Sequence, residues 1–97
     1  MEKTTYIHIK DFCTHHDIEV SFVRQLQEYE IVHIEVANNE MMIPENELSK
    51  LEKMVRLYHD LKINPEGLQA IHHLLEKVDH LQNQLSSMQR KLNRLEN

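Results

Sequence analysis

Residues 65–95, PEGLQAIHHLLEKVDHLQNQLSSMQRKLNRL, decide the architecture of this chain. Ile71, Leu74, Val78, Leu81, Leu85, Met88, Leu92 and Leu95 follow one another at steps of 3, 4, 3, 4, 3, 4 and 3 residues. That spacing is a heptad, with Ile71, Val78, Leu85 and Leu92 at a and Leu74, Leu81, Met88 and Leu95 at d. Asn64 stands just before the run as an N-cap, and Pro65 takes the first helical position, where its missing N–H costs nothing. At 1.5 Å per residue such a helix is roughly 45 Å long. The 64 residues that precede Pro65 cannot cover a seam of that length. The distal half therefore needs another chain, and a homodimer through these eight positions is expected. Packing on the chain's own domain is credible only for Leu74, Leu75 and Val78. The flanking Lys77, Gln82, Gln84, Gln89, Lys91 and Glu96 carry few opposite charges, so they choose neither parallel nor antiparallel pairing.

The rest of the composition agrees with a mostly helical chain. One Gly and two Pro in 97 residues rule out a turn-rich sandwich or barrel. No apolar run is long enough to span a membrane, and the start, Met1-Glu2-Lys3-Thr4-Thr5, lacks the apolar stretch of an export leader. A single cysteine builds no disulfide framework, so a cytoplasmic location is the default expectation. The net charge of −5 is unevenly placed. Residues 1–67 hold seven Lys and Arg against thirteen Asp and Glu, whereas residues 68–97 hold four against three. Acidity belongs to the N-terminal part, which is a poor basis for unaided nucleic-acid binding.

Upstream of Asn64 the elements are short. Tyr6 to His8 is an extended lead-in. Ile9, Phe12 and Cys13 give the apolar face of a brief helix to about His16, and His16-Asp17-Ile18 is a tight turn in which Asp17 tolerates a left-handed conformation. A second helix, about Glu19 to Tyr29, buries Phe22, Val23 and Leu26. Ile31, Val32, Ile34 and Val36 read as a strand, Ala37-Asn38-Asn39 as a turn, and Met41 to Ile43 as the returning strand. A third helix from near Pro44 to about Leu61 directs Leu48, Leu51, Met54, Val55, Tyr58 and Leu61 to the core.

Two short helices joined by a tight turn, a two-stranded wing, a long helix and a coiled-coil helix form an order that resembles the MerR-like winged helix-turn-helix fold. Three motifs narrow it: Ile9-Lys10-Asp11-Phe12-Cys13-Thr14-His15, Arg56-Leu57-Tyr58-His59-Asp60-Leu61, and Gly67-Leu68-Gln69-Ala70-Ile71 leading into Leu74 and Leu75. Together they resemble the chaperone-modulator branch, the CbpM family, over residues 7–95. The resemblance implies a mainly α chain: a winged helix-turn-helix domain over residues 1–63 with a small β-hairpin wing, then a coiled-coil dimerisation helix over residues 64–97. It also implies a small cytoplasmic protein that binds the J-domain of a DnaJ/CbpA-like co-chaperone and restrains its stimulation of Hsp70 (DnaK). A MerR-like transcriptional regulator that binds DNA as a dimer is the alternative.

The charges weigh between these two. A DNA-reading relative places its second helix in the major groove and its wing on the backbone, both rich in Arg and Lys. Here the second helix and its approaches hold Asp17, Glu19, Glu28 and Glu30 against Arg24, and the wing holds Glu35 and Glu40 with no Lys or Arg. Such a surface repels phosphate and suits a basic protein, and the J-domain helix that engages Hsp70 is positively charged in J-domains generally. Glu28, Glu30, Glu35, Glu40 and Glu45 are the candidate contacts. Arg56 and His59, matched to the family motif and off the core face of the third helix, complete the set. Each has a plainer reading. The glutamates are individually a solvated face, Glu45 and Glu47 favour a helix dipole, and Arg56 pairs with Glu52 or Asp60 one turn away.

Eight histidines raise a metal question. His72, Glu76 and His80 recur at four-residue steps, yet a structural site needs four ligands and no second thiol exists to join Cys13. Neither metal nor cofactor is expected. An enzyme is not expected either: there is no Gly-rich phosphate loop, and Cys13 with His16 is a nucleophile–base pair whose burial opposes reactivity.

Overall fold

A computed structural model describes residues 5–96. The expectation of no export leader rests in part on residues 1–4, which lie outside the described residues. The elements run β1 (Tyr6–His8), α1 (Ile9–His16), α2 (Val20–Glu28), β2 (Glu35–Ala37), β3 (Glu40–Pro44), α3 (Glu45–Leu61) and α4 (Pro65–Glu96). The chain is mainly helical, with a small sheet and a long C-terminal helix.

Glycine is scarce, so the helix ends are closed by other residues in left-handed conformations. Asp17 at φ 54° ends α1, with Asp17 N–H donating to Thr14 O at 3.4 Å and Ile18 N–H to Cys13 O at 3.0 Å. Glu30 at φ 60° ends α2 in the same way, donating to Gln27 O at 2.9 Å, while Ile31 N–H donates to Leu26 O at 2.9 Å. Each closure satisfies orphan carbonyls and sets an apolar residue just past the helix against its last turn, Ile18 by Cys13 and Ile31 by Leu26.

That second closure changes the reading of residues 31–36. The alternating β-branched residues predict a strand, but only Glu35–Ala37 pairs, and Ile31, Val32 and Ile34 are buried in an irregular segment. The left-handed turn at Glu30 folds the chain back beneath α2, so these side chains plug the core before any ladder forms. The Asn38-Asn39 turn is as expected, with φ of 53° and 63° for a tight hairpin. The sheet gains a third member. β1 pairs antiparallel with β3 (Tyr6↔Pro44, Ile7↔Ile43, His8↔Met42), on the side of β3 away from β2, giving the order β1-β3-β2.

The core gathers Ile9, Phe12 and Cys13 from α1, Phe22, Val23 and Leu26 from α2, Ile43 from β3, Leu51, Met54 and Val55 from α3, and Leu68 from α4. The expected inward face of α3 holds as far as Val55. Tyr58 is 36% exposed and Leu61 64%, because α3 outruns the layer it packs on. At the start of α4, Gly67 N–H donates to Asn64 Oδ1 at 2.8 Å, the cap expected from the sequence. A Cβ at Gly67 would lie 2.7 Å from Ile63 Cγ2, so the residue that lets the cap close is the chain's one glycine. Tyr29 then ties α2 to α4: its hydroxyl donates to Glu66 Oε1 at 3.0 Å, and Gln69 Nε2 donates to its carbonyl at 3.4 Å. Beyond Ile71 and His72, both half-buried, the residues of α4 are largely exposed.

Candidate partner-binding surface

The five candidate glutamates lie on different elements, and the structure does not gather them into one pocket. Glu40 opens β3 beside the hairpin turn, where His8 Nε2 donates to its Oε2 at 2.6 Å. The recess there is also lined by Lys10 and Arg24, so Glu40 sits among cations. Glu35 on β2 lies 3.6 Å from His33 Nε2. Glu30 lines a shallow depression with Glu47 and Lys50, themselves paired at 3.2 Å. Glu28 ends α2 and is exposed. Glu45 begins α3, exposed, with its amide donating to Thr5 O at 2.8 Å.

Arg56 and His59 differ in their commitments. Arg56 is exposed and forms no salt bridge among the described residues, so the pairing expected with Glu52 or Asp60 is not made. His59 is half-buried, and its Nε2–H donates to the His16 carbonyl at 3.0 Å. It thereby serves one of the terminal carbonyls of α1 and fastens α3 to the α1–α2 turn.

Beside His59 lies a concavity of about 640 Å³ that the sequence does not advertise. Phe22 and Tyr58 form a stacked pair in it, with ring centroids 4.3 Å apart and planes at 30°. Asp17, Glu19 and Lys62 line it as well. The periodicity of α3 assigns Tyr58 to the core, which hid this feature; the usable signal is that Tyr58 lies in the last turn, next to a chain reversal.

The heptad residues of α4 are laid out as the spacing requires. Leu74, Val78, Leu81, Leu85, Met88, Leu92 and Leu95 are all exposed, and of the positions that had a chance of covering within the chain Leu75 and Val78 are covered only in part. His72 is the exception on this helix. Its ring is largely covered and lies 3.2 Å from Glu76 Oε1. Burial pushes its pKa down, against the pull of Glu76. Cys13 is buried and its thiol pKa is raised by that burial, the reverse of what a reactive nucleophile needs. Among the described residues no three His, Cys, Asp or Glu side chains are grouped to hold a metal ion, and no helix is long and apolar enough to cross a membrane.

Comparison with known proteins agrees with the architecture. No curated protein and no solved structure matches the chain. The model of one family, the MerR HTH family regulatory protein, matches residues 7–90, from the first strand through most of the long helix. Because that match spans most of the chain, the chain belongs to the MerR HTH family of regulatory proteins.

Proposed function

We propose that this chain is a non-enzymatic chaperone modulator of the cytoplasm. It binds the J-domain of a DnaJ/CbpA-like co-chaperone and restrains the stimulation of Hsp70. The observation that carries the reading is the sign of the surface a DNA-reading relative would present. Glu19, Glu28 and Glu30 flank or end α2 and Glu35 and Glu40 stand on the wing, with Arg24 the single Arg or Lys of α2 and none on β2 or β3. Releasing counterions from DNA requires cations at those places; a basic helix requires what is there. The CbpM-like motifs around Phe12, Arg56-Leu57-Tyr58-His59 and Gly67-Leu68 point to the J-domain as that basic partner. Glu28, Glu30, Glu35, Glu40, Glu45, Arg56 and His59 form the contact set. The protein acts as a homodimer joined through Ile71, Leu74, Val78, Leu81, Leu85, Met88, Leu92 and Leu95, because a seam of a and d residues exposed from Leu74 onward is stable in water only when covered.

Titration against a J-domain and against duplex DNA at low salt tests the reading. Saturable J-domain binding that weakens with salt is expected, with no DNA binding. DNA binding without J-domain binding overturns it in favour of a dimeric transcriptional regulator.

A further inference from the structure

We propose that the groove between the α1–α2 turn and the C-terminal end of α3 is the anchor for the basic partner. It receives one arginine or lysine of a cationic helix, laid over the Phe22–Tyr58 pair. The inference rests on the basic-partner reading and assigns it a second, distinct contact. The glutamates of the wing and α2 attract the partner, and the groove holds it.

Three observations meet here. An aromatic pair is left open: Tyr58 stacks on Phe22 at 4.3 Å yet keeps 36% of its surface exposed. A ring face of this kind, in a concavity of about 640 Å³, accepts a cation above it. Second, the carboxylates of Asp17 and Glu19 line the same groove. Neither forms a salt bridge among the described residues, and Glu19 Oε2 accepts only the Ser21 hydroxyl at 3.3 Å. Third, α1 and α3 end at this groove, at Asp17 and Lys62, while α2 and α4 begin at it, at Glu19 and Asn64–Pro65, so the helix dipoles offset one another and the formal charges set its sign. Lys62 is the one Lys or Arg in the lining, so the formal balance is one negative charge in excess. An apolar ligand would leave the two carboxylates facing it unpaired, and an anion would meet them directly. A guanidinium or ammonium satisfies the carboxylates and the ring face together.

The kinetics of J-domain binding separate the two contacts. Asp17→Asn with Glu19→Gln removes the charges while leaving the left-handed turn to a residue that tolerates it. Tyr58→Leu keeps an apolar cover on Phe22 and removes the ring face. Each is expected to speed dissociation about tenfold; Y58L changes association less than about twofold, whereas D17N/E19Q, which also lowers the acidic charge, slows association less than it speeds dissociation. Lys62→Asn, also tolerant of its left-handed position, is expected to slow dissociation a few-fold. Reversing Glu28, Glu30 and Glu40 to Lys should instead slow association. Release at the wild-type rate by both D17N/E19Q and Y58L overturns the groove assignment and leaves J-domain binding intact. If the wild-type protein does not bind a J-domain, the proposed function fails. The groove is then judged by NMR titration with a synthetic helical peptide carrying arginines at i and i+4. Shifts centred on Tyr58, His59 and Glu19 support it, and scattered or absent shifts overturn it.

Discussion

Leu68 and Leu95 stand on one helix in opposite surroundings: the first is 0% exposed, the second 84%. Around Leu68, α4 lies against α2 and α3, and a cap, a glycine and a tyrosine hydrogen bond fix its entry. Past His72 the same helix carries a leucine stripe as regular as any core face, yet its residues stay exposed. The stripe and the core are made of the same residue types. What distinguishes them is whether one chain has enough mass to cover both, and 64 residues before Pro65 do not.

The strongest way to break this comparison is to make the stripe uncoverable. Leu85→Glu with Leu92→Glu puts two charges into the seam and should give monomers by sedimentation, with reduced helicity confined to the distal α4. Retained dimers would show that the heptad is not the interface. The next contrast is between the two regions directly. Leu26→Ala, in the core, should cost about 2–5 kcal/mol in denaturant unfolding. Leu95→Ala, at the exposed end, should cost less than about 1 kcal/mol even in the dimer. Equal costs would erase the distinction. A smaller effect probes the joint between the regions: Asn64→Ala removes the cap of α4 and should cost about 1 kcal/mol, read as a lowered thermal midpoint.

The smallest is a pH effect at the same joint. Burial holds the pKa of His72 below its ordinary value of 6.5, with Lys50 and His73 acting in the same direction and Glu76 and Glu47 opposing. The folded chain therefore favours the neutral ring. The stability this gives is fully present above 6.5 and is lost as pH falls below it, because the unfolded chain then binds the proton more readily. Wild-type protein should lose more stability between about pH 7 and about pH 5 than His72→Gln does. Parallel profiles would show that the ring gains no proton on unfolding.

Features written in local spacing were legible in the sequence. The heptad, the Asn64–Pro65 start, the left-handed Asp17 and the Asn38-Asn39 turn each depend on neighbours within one or two turns of chain. Three features were not, each for a non-local reason. Pairing of β1 with β3 joins Tyr6 to Pro44, and nothing near either residue announces the other. Residues 31–34 have the alternation of a strand, but the left-handed Glu30, which no glycine marks, turns them into the core. Tyr58 and Leu61 keep the period of their helix after the core has ended. The candidate contact residues show the same division. Their charge was readable, whereas the company of Glu40 with Lys10 and Arg24, and the fastening of His59 to His16 O at 3.0 Å, required the fold.

The central claim, that an acidic winged-helix dimer withholds a J-domain from Hsp70, is tested most directly by the ATPase rate of Hsp70 stimulated by the co-chaperone. Adding this protein should return the rate to its unstimulated level in a saturable way, and should leave Hsp70 alone unaffected. A stimulated rate that stays constant at saturating protein would contradict the account.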